Sequence, residues 1–547
     1  MKSNFIKYIL LLIPVYIIGF GIDIMDIDAS QYAEMSREMS NSNSYLHVYE
    51  IGKDYLDKPP LLFWVTSISI KIFGVNNFAY RFPSFLFALF ALLSTYRFAL
   101  HYYKKEIAFL AALVLASCQA FFLINHDVKT DTILMSCVIF SIWQLAAWFQ
   151  NKKAVHFILA FVGIGFGMLA KGPIALIVPI VAFGTHFLLT RNFTAIFKWQ
   201  YLIGIIIIAI VLLPMSVGLY TQFDLHPEKI VNNKTGVSGV RFFYWTQSFG
   251  RITGESIWDN NSNIFFLFQN MLWAFLPWIV IFSIAFFIEF KLLVQQKFKI
   301  SSNAEWICMG GFTLGYLALG SSKYQLPHYI FVVFPFAAII TAKFLYNLYN
   351  KQQFKMRSFL EKSHFIIFTL LHIALFILLA FSFPAPWWML VSYAGILVLF
   401  YFKFTKKSIP YYLVKLSVFS FLIINLFLNC WVYPALLHYQ AGNTIGRFIK
   451  QNNLPPANTF IYQEKIWHSI HYYSNEIINH IDSINDIVKG HYIILKENRL
   501  IDFVNAGKEF DIIYRTPTYG VSRLKIKFLI PSKRDELTED CVILKIR

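Results

Sequence analysis

Cysteine and charge are both scarce in this chain. Five cysteines are spread over 547 residues: Cys118, Cys137, Cys308 and Cys430 lie in apolar runs, and Cys541 stands alone. No CxxC pair occurs, which removes a thiolate zinc site and a disulfide scaffold as organising features. Charged residues amount to 14%, against about 25% in a soluble globular domain. The net charge of +18 raises the question of a nucleic-acid partner. Its lysines and arginines recur in short clusters between apolar runs and build no single basic face, which excludes that partner. A cleavable leader is also missing: no small-x-small site follows the apolar run Tyr8 to Gly21, and Asp23, Asp26 and Asp28 come directly after it. That run is expected to be an uncleaved first span.

What is abundant is apolar surface, at 57% hydrophobic and 18% aromatic residues with a mean hydropathy of +0.54. A membrane-crossing helix needs about 20 apolar residues. Candidate stretches are 4–24, 79–100, 106–124, 132–150, 154–170, 173–190, 200–220, 263–288, 304–320, 327–346, 364–383, 387–402 and 411–434. The basic clusters orient them: Lys104 and Lys105, Lys152 and Lys153, Arg191 and Lys198, Lys291 to Lys299, Lys351 to Lys362, and Lys403 to Lys407 fall in alternate loops. These are the cytoplasmic loops under the positive-inside rule. The N-terminus is then cytoplasmic and the C-terminal tail periplasmic, in a bacterial inner membrane.

The expected fold is therefore an all-α polytopic membrane protein with about thirteen transmembrane helices. Residues 1–436 form the membrane domain, and residues 437–547 form a small α/β domain on the outer face. In that tail, Tyr492 to Leu495, Asp511 to Tyr514, Lys525 to Ile530 and Val542 to Ile546 alternate like strands, whereas Gly442 to Lys450 and Trp467 to Tyr473 look helical. Two further helices are expected in the outer interface. One covers 28–40, where Tyr32, Met35 and Met39 recur on one face; the other covers 61–78, too short and polar to span.

Acidic and basic residues collect on the outer side, beside hydrophobic helices where charge is expensive. Asp26, Asp28, Glu34, Asp57 and Asp131 are the carboxylates; Lys58, Lys129, Arg251 and Lys323 are the cations. Singly, each reads as a solvated loop residue or a helix cap, and Asp28 before a helix is a natural N-cap. Together they suit a ligand with a charged head and a greasy tail, such as a lipid phosphate. Cations would neutralise a departing phosphate, and a carboxylate would take the proton of an attacking hydroxyl.

The motifs then become specific. Asp28-x-x-x-Tyr32-Ala33-Glu34-Met35-x-Arg37-Glu38-Met39, followed by Tyr55-Leu56-Asp57-Lys58-Pro59, resembles the opening loop of the lipid A aminoarabinose transferases. That family is related to the dolichyl-phosphate-mannose–protein mannosyltransferases within the GT-C superfamily. Matches continue through Asn76-Asn77-Phe78-x-x-Arg81, Thr130-Asp131, Met168-x-x-Lys171-Gly172, Phe243-Tyr244-Trp245 with Arg251, Leu276-Pro277-Trp278 and Lys323-x-x-Leu326-Pro327-x-Tyr329.

The resemblance implies a GT-C fold and an integral membrane glycosyltransferase. It would move a sugar from a polyprenyl (undecaprenyl) phosphate to lipid A, another glycan or glycolipid, or a protein hydroxyl. Asp28, Asp131 and Glu34 are the implied acidic groups. Lys58 and Arg251, helped by Tyr55, Tyr324 and Lys323, would hold the donor phosphate. Interfacial anchoring is the alternative role of the two tyrosines, and anchoring of outer turns that of Lys171 and Lys323.

The chain departs from those relatives in having Asp57 where Glu is usual, Gln31 where Arg is usual, and Ser248 in place of a histidine. The Glu and His surround a zinc ion in those enzymes, so no cofactor is assigned here. Asp57 is the one candidate ligand should a divalent metal ion be needed. The competing function is a transporter or flippase of lipid-linked sugars. Transporters place polar residues near the bilayer midplane in repeated halves, whereas here the charge sits on one side.

Overall fold

The computed structural model describes residues 5–247, 250–253, 255, 260, 262–298, 304–351, 353–405, 409–464 and 467–547, with the side chains of Arg251 and Ile252 excepted. The chain is mostly helical. Among the described residues, eight helices are long and apolar enough to cross a membrane: Asn77–Tyr102, Thr130–Asn151, Ala154–Lys171, Phe193–Asp224, Pro327–Asn350, Phe354–Ser382, Trp387–Phe404 and Tyr412–Leu437. Shorter apolar helices, Ile6–Gly21, Ile174–Leu189 and Ile307–Gly320 among them, pack with these. Helices suit this composition because each satisfies its own backbone hydrogen bonds where no water is available.

Each of the thirteen apolar stretches contains helix, but two of them are interrupted. The stretch 106–124 breaks at Ser117 and Cys118 into Lys105–Ala116 and Gln119–Leu123. The stretch 263–288 breaks at Phe275–Trp278 into Phe265–Ala274 and Ile279–Gln295. The two breaks meet. Gln119 N–H donates to the Leu276 carbonyl at 2.9 Å, and the Trp278 indole donates to Ser117 Oγ at 3.1 Å. Backbone groups freed by one break are thus satisfied by the other.

The opening loop folds as two helices, Asp28–Ser42 and Leu61–Phe73, joined by a hairpin of β1 (Tyr49–Glu50) and β2 (Lys53–Asp54). Ten of the fifteen residues in the first helix are buried, Tyr32, Met35 and Met39 included. The second ends at Phe73, short of the expected 78, because Asn76 caps the next helix at Asn77; it keeps Ile68 and Ile72 exposed. Arg81, in helix Asn77–Tyr102, explains one sequence motif. Its guanidinium donates to the backbone carbonyls of Phe20, Ile22, Asp23 and His126, locking the entry to the loop.

A second hairpin, β3 (Ile230–Val231) with β4 (Lys234–Thr235), lies in the 221–262 segment. The C-terminal residues build a five-stranded sheet from β5 (Thr459–Tyr462), β6 (Asn479–Ile481), β7 (Tyr492–Lys496), β8 (Phe510–Thr518) and β9 (Glu539–Ile546), in the order β6-β5-β7-β9-β8. β5 runs parallel to β6 and β7, and β9 antiparallel to β7 and β8. Side chains alternate as the pleat demands: Ile494 and Ile543 pack under helices Ala441–Gln451 and His468–Ser474, while Ile493, Leu495 and Leu544 face Phe503. Lys525 to Ile530 is not a strand. Ile526–Leu529 makes a single 3-10 turn, because Phe528 stacks on Tyr519 at 4.0 Å and Pro531 cannot donate to a ladder.

Candidate active site

Four segments bring charged side chains together where the opening loop meets the spans. Asp28 occupies the first turn of its helix, where the positive end of the helix dipole favours a carboxylate. Lys129 Nζ lies 3.0 Å from Asp28 Oδ2 and 3.3 Å from Asp127 Oδ1. Lys129 directly precedes helix Thr130–Asn151, whose first turn carries Asp131. Asp131 is fully enclosed and pairs with Lys171 Nζ at 2.5 Å. Its Oδ2 has no hydrogen-bond partner among the described residues and faces His328 Nε2 at 3.6 Å. Lys171 also lies over the Tyr329 ring, 3.7 Å from the centroid. The chain turns away after Lys171 through Gly172 at φ +91, a conformation open to glycine but strained for other residues.

Electrostatics separate the roles. Burial pushes the Asp28 carboxyl up, but Lys129, with Lys58 and Lys171 behind it, pulls harder and holds it below the usual carboxylate range. Burial would lower the Lys129 ammonium; Asp127 and Asp28 more than offset this and keep it charged. Asp28 remains about one-third exposed, whereas Asp131 is sealed. Of the two, Asp28 is the one open to its surroundings. Asp131 positions Lys171 and His328.

Next to this network runs a cleft lined by Tyr55, Asp57, Lys58, Phe242, Phe243 and Gln247. Burial first, then Asp57, Glu50 and Asp28, holds the Tyr55 phenol well above its ordinary value and so protonated. Lys58 Nζ lies 2.7 Å from Asp57 Oδ2, and the Gln247 amide donates to Asp57 Oδ1 at 2.7 Å. Both Asp57 oxygens therefore already have donors, and a divalent cation there would have to displace an ammonium. Among the described residues no three His, Cys, Asp or Glu side chains converge on a metal position. Among the described residues, the Asp57 surroundings do not fit a metal.

The remaining expected residues fall elsewhere. Glu34 does not face the Asp28 network. Six residues on, it points to another side of the helix, fully buried against Arg37, with contacts of 2.6 and 2.8 Å. Arg37 in turn donates to the Asn475 carbonyl at 2.9 Å. Lys323 is exposed and makes no ion pair among the described residues; Tyr324 is half-buried in the same turn. The side chain of Arg251, in helix Gly250–Thr253, and all of Ser248 lie outside the described residues. His328, Gln247 and Asp127 were not expected. His328 occupies the x of Leu326-Pro327-x-Tyr329, and only its proximity to Asp131 reveals it.

Three comparisons bear on this geometry. A family profile for dolichyl-phosphate-mannose-protein mannosyltransferase matches residues 57–217. Over 552 residues the chain is 26% identical to an uncharacterized protein of Aquifex aeolicus, covering 99% of each. It is also 26% identical, over 390 residues, to the undecaprenyl phosphate-alpha-4-amino-4-deoxy-L-arabinose arabinosyl transferase of Wigglesworthia glossinidia brevipalpis, covering 68% of this chain and 65% of that one. Its fold is similar to the crystal structure of ArnT from Cupriavidus metallidurans bound to undecaprenyl phosphate. The TM-score is 0.71 at 14% identity, covering 98% of this chain and 97% of that one.

Proposed function

We propose that this chain, which resembles the GT-C glycosyltransferases of the aminoarabinose-transferase and protein-mannosyltransferase type, transfers a hexosyl or pentosyl group from undecaprenyl phosphate to a periplasmic acceptor. The acceptor is lipid A, another glycolipid or glycan, or a protein hydroxyl. The enzyme lies in a bacterial inner membrane with about thirteen spans, its N-terminus cytoplasmic and its C-terminal sheet periplasmic.

One observation carries the reading: an open carboxylate, Asp28, set among Lys129, Lys58 and Lys171 at the membrane end of the spans. Lys58 and Tyr55, with Arg251, bind the donor phosphate; Lys323 and Tyr324 border its entry. The acceptor oxygen attacks the anomeric carbon as the bond from that carbon to the phosphate oxygen breaks. The electron pair leaves on the phosphate, whose charge the cations meet. Attack from the face opposite the phosphate inverts the anomeric centre. The acceptor proton passes to Asp28. A carboxylate held at low pKa is a weak base, so proton transfer comes late, once bonding to the anomeric carbon has made the acceptor hydroxyl acidic.

Purified protein in vesicles, supplied with labelled undecaprenyl-phosphate sugar and an acceptor panel, tests the reading. Asp28→Asn is expected to lower transfer by about 10² to 10⁴-fold while the protein stays folded in the membrane. Labelled sugar that crosses the bilayer intact and never joins an acceptor would falsify the enzyme reading in favour of transport.

A further inference from the structure

A cleft of about 590 Å³ separates the opening loop from the C-terminal sheet. Asp26, Trp467, His468, Lys496, Tyr519 and Glu539 are among its lining residues. Asp26 is two residues, at most about 7 Å of backbone, from Asp28. Its Oδ2 accepts from Ser469 Oγ at 3.3 Å, but its buried Oδ1 has no hydrogen-bond partner among the described residues. A buried carboxylate oxygen without a donor is rare and calls for one. On the opposite wall, Lys496 and Glu539 form a 2.8 Å ion pair across β7 and β9.

The lining mixes the flat rings of Trp467 and Tyr519 with two carboxylates, an ammonium, the Arg523 guanidinium and hydroxyls. A sugar ring offers that mixture its complement: a face of C–H groups for the rings and a rim of hydroxyls that both donate and accept. An apolar side chain would leave Asp26 and the ion pair unmet; a phosphate would set like charge against the open Asp26 oxygen.

We propose that this cleft holds a saccharide ring of the acceptor, next to the one that reacts, so that the C-terminal domain selects the acceptor. The assignment rests on the glycosyl-transfer reading above. Asp26 accepts from a sugar hydroxyl, and Trp467 covers the ring face.

Full-length protein in detergent, probed by saturation-transfer NMR with chitobiose and with deacylated lipid A, tests it. Saturation is expected to reach the ring protons of at least one of the two. Trp467→Ala is expected to weaken that saccharide about tenfold, a loss of one aromatic contact; Trp467→Phe restores most of it, and Asp26→Asn weakens it without removing the ring contact. Binding of undecaprenyl phosphate stays unchanged in all three. No saturation from either saccharide, or equal affinity in wild type and both Trp467→Ala and Asp26→Asn, overturns the proposal. Two outcomes separate it from the reading it rests on. Saccharide binding without transfer onto any acceptor sinks the transferase and leaves the cleft standing. Transfer with an acceptor KM unmoved by Trp467→Ala and Asp26→Asn sinks the cleft and leaves the transferase.

Discussion

Lys129, 3.0 Å away, with Lys58 and Lys171 behind it, holds the Asp28 carboxyl low, and in the proposed reaction this sets the pH range in which Asp28 acts. Its depressed value keeps it ionised well into acid, so activity that depends on the carboxylate is lost only as pH falls through that low value. Lys129→Met removes the strongest opposing charge and lets burial dominate. The acidic limb of kcat/KM is expected to move to higher pH in that variant, a shift that a pH–rate profile reads directly. Glu34 behaves in the opposite way. Its charge is spent on Arg37, so Glu34→Gln strands a buried guanidinium, at a cost of about 3 kcal/mol. A lower melting temperature with near-normal activity per folded molecule is the expected result; loss of activity at unchanged stability would return Glu34 to the reacting centre. The sequence could show that both acids lay in one loop. It could not show that Lys129, 101 positions from Asp28, would choose the first of them.

Among the elements, helix Gln200–Leu219 and the segment after it clasp the opening loop. The Val48 backbone exchanges hydrogen bonds of 3.0 and 2.9 Å with the Gln222 side chain, and Lys229 meets Asp54 at 2.9 Å. Gly218 makes the approach possible: a Cβ there would overlap the Leu46 carbonyl. Gly218→Ala should push the loop outward, costing about 1 to 3 kcal/mol. Because Leu46 and Leu219 line the same cleft as Lys58, the donor KM should rise more than the acceptor KM; equal changes would mean the loop moves as a whole. The two helices of the opening loop were readable from their spacing, Tyr32, Met35 and Met39 above all. The interruptions at Ser117 and at Leu276-Pro277 were not, since an apolar run keeps its hydropathy whether or not its hydrogen-bond ladder is continuous. The false strand at 525–530 shows the converse. Alternation of Ile526, Phe528 and Ile530 mimics a pleat, yet Ile526 is 82% exposed and packs on nothing.

At the scale of the whole molecule, the opening loop and the C-terminal domain are held by side chains more than 400 positions apart. Arg447 forms a two-pronged pair with Asp23, one contact at 2.8 Å. The Gln440 amide bridges the Ile24 carbonyl and the Asp26 N–H, each at 2.8 Å. The Ile24 N–H donates to the Tyr473 hydroxyl, also at 2.8 Å. Asp23→Arg or Arg447→Asp alone should destabilise the protein. The double exchange should recover about 1 kcal/mol as coupling energy, measurable in a thermal double-mutant cycle; strict additivity would mean the pair holds nothing. None of this was legible beforehand, because polar contacts between distant segments carry no periodicity. The apolar runs and most of the strands, 492–495 and 542–546, were legible because each repeats its own spacing.

These long-range clasps also order events during synthesis. Residues 23–37 emerge early, while Gln440, Arg447, Tyr473 and the Asn475 carbonyl leave the ribosome more than 400 residues later. Until then Arg37 has Glu34 and Asp23 has Asn77, but both lack their contacts to the C-terminal domain. The proposed catalytic carboxylate thus reaches its final setting only in a nearly finished chain, and a truncated product would carry the apolar helices without these clasps.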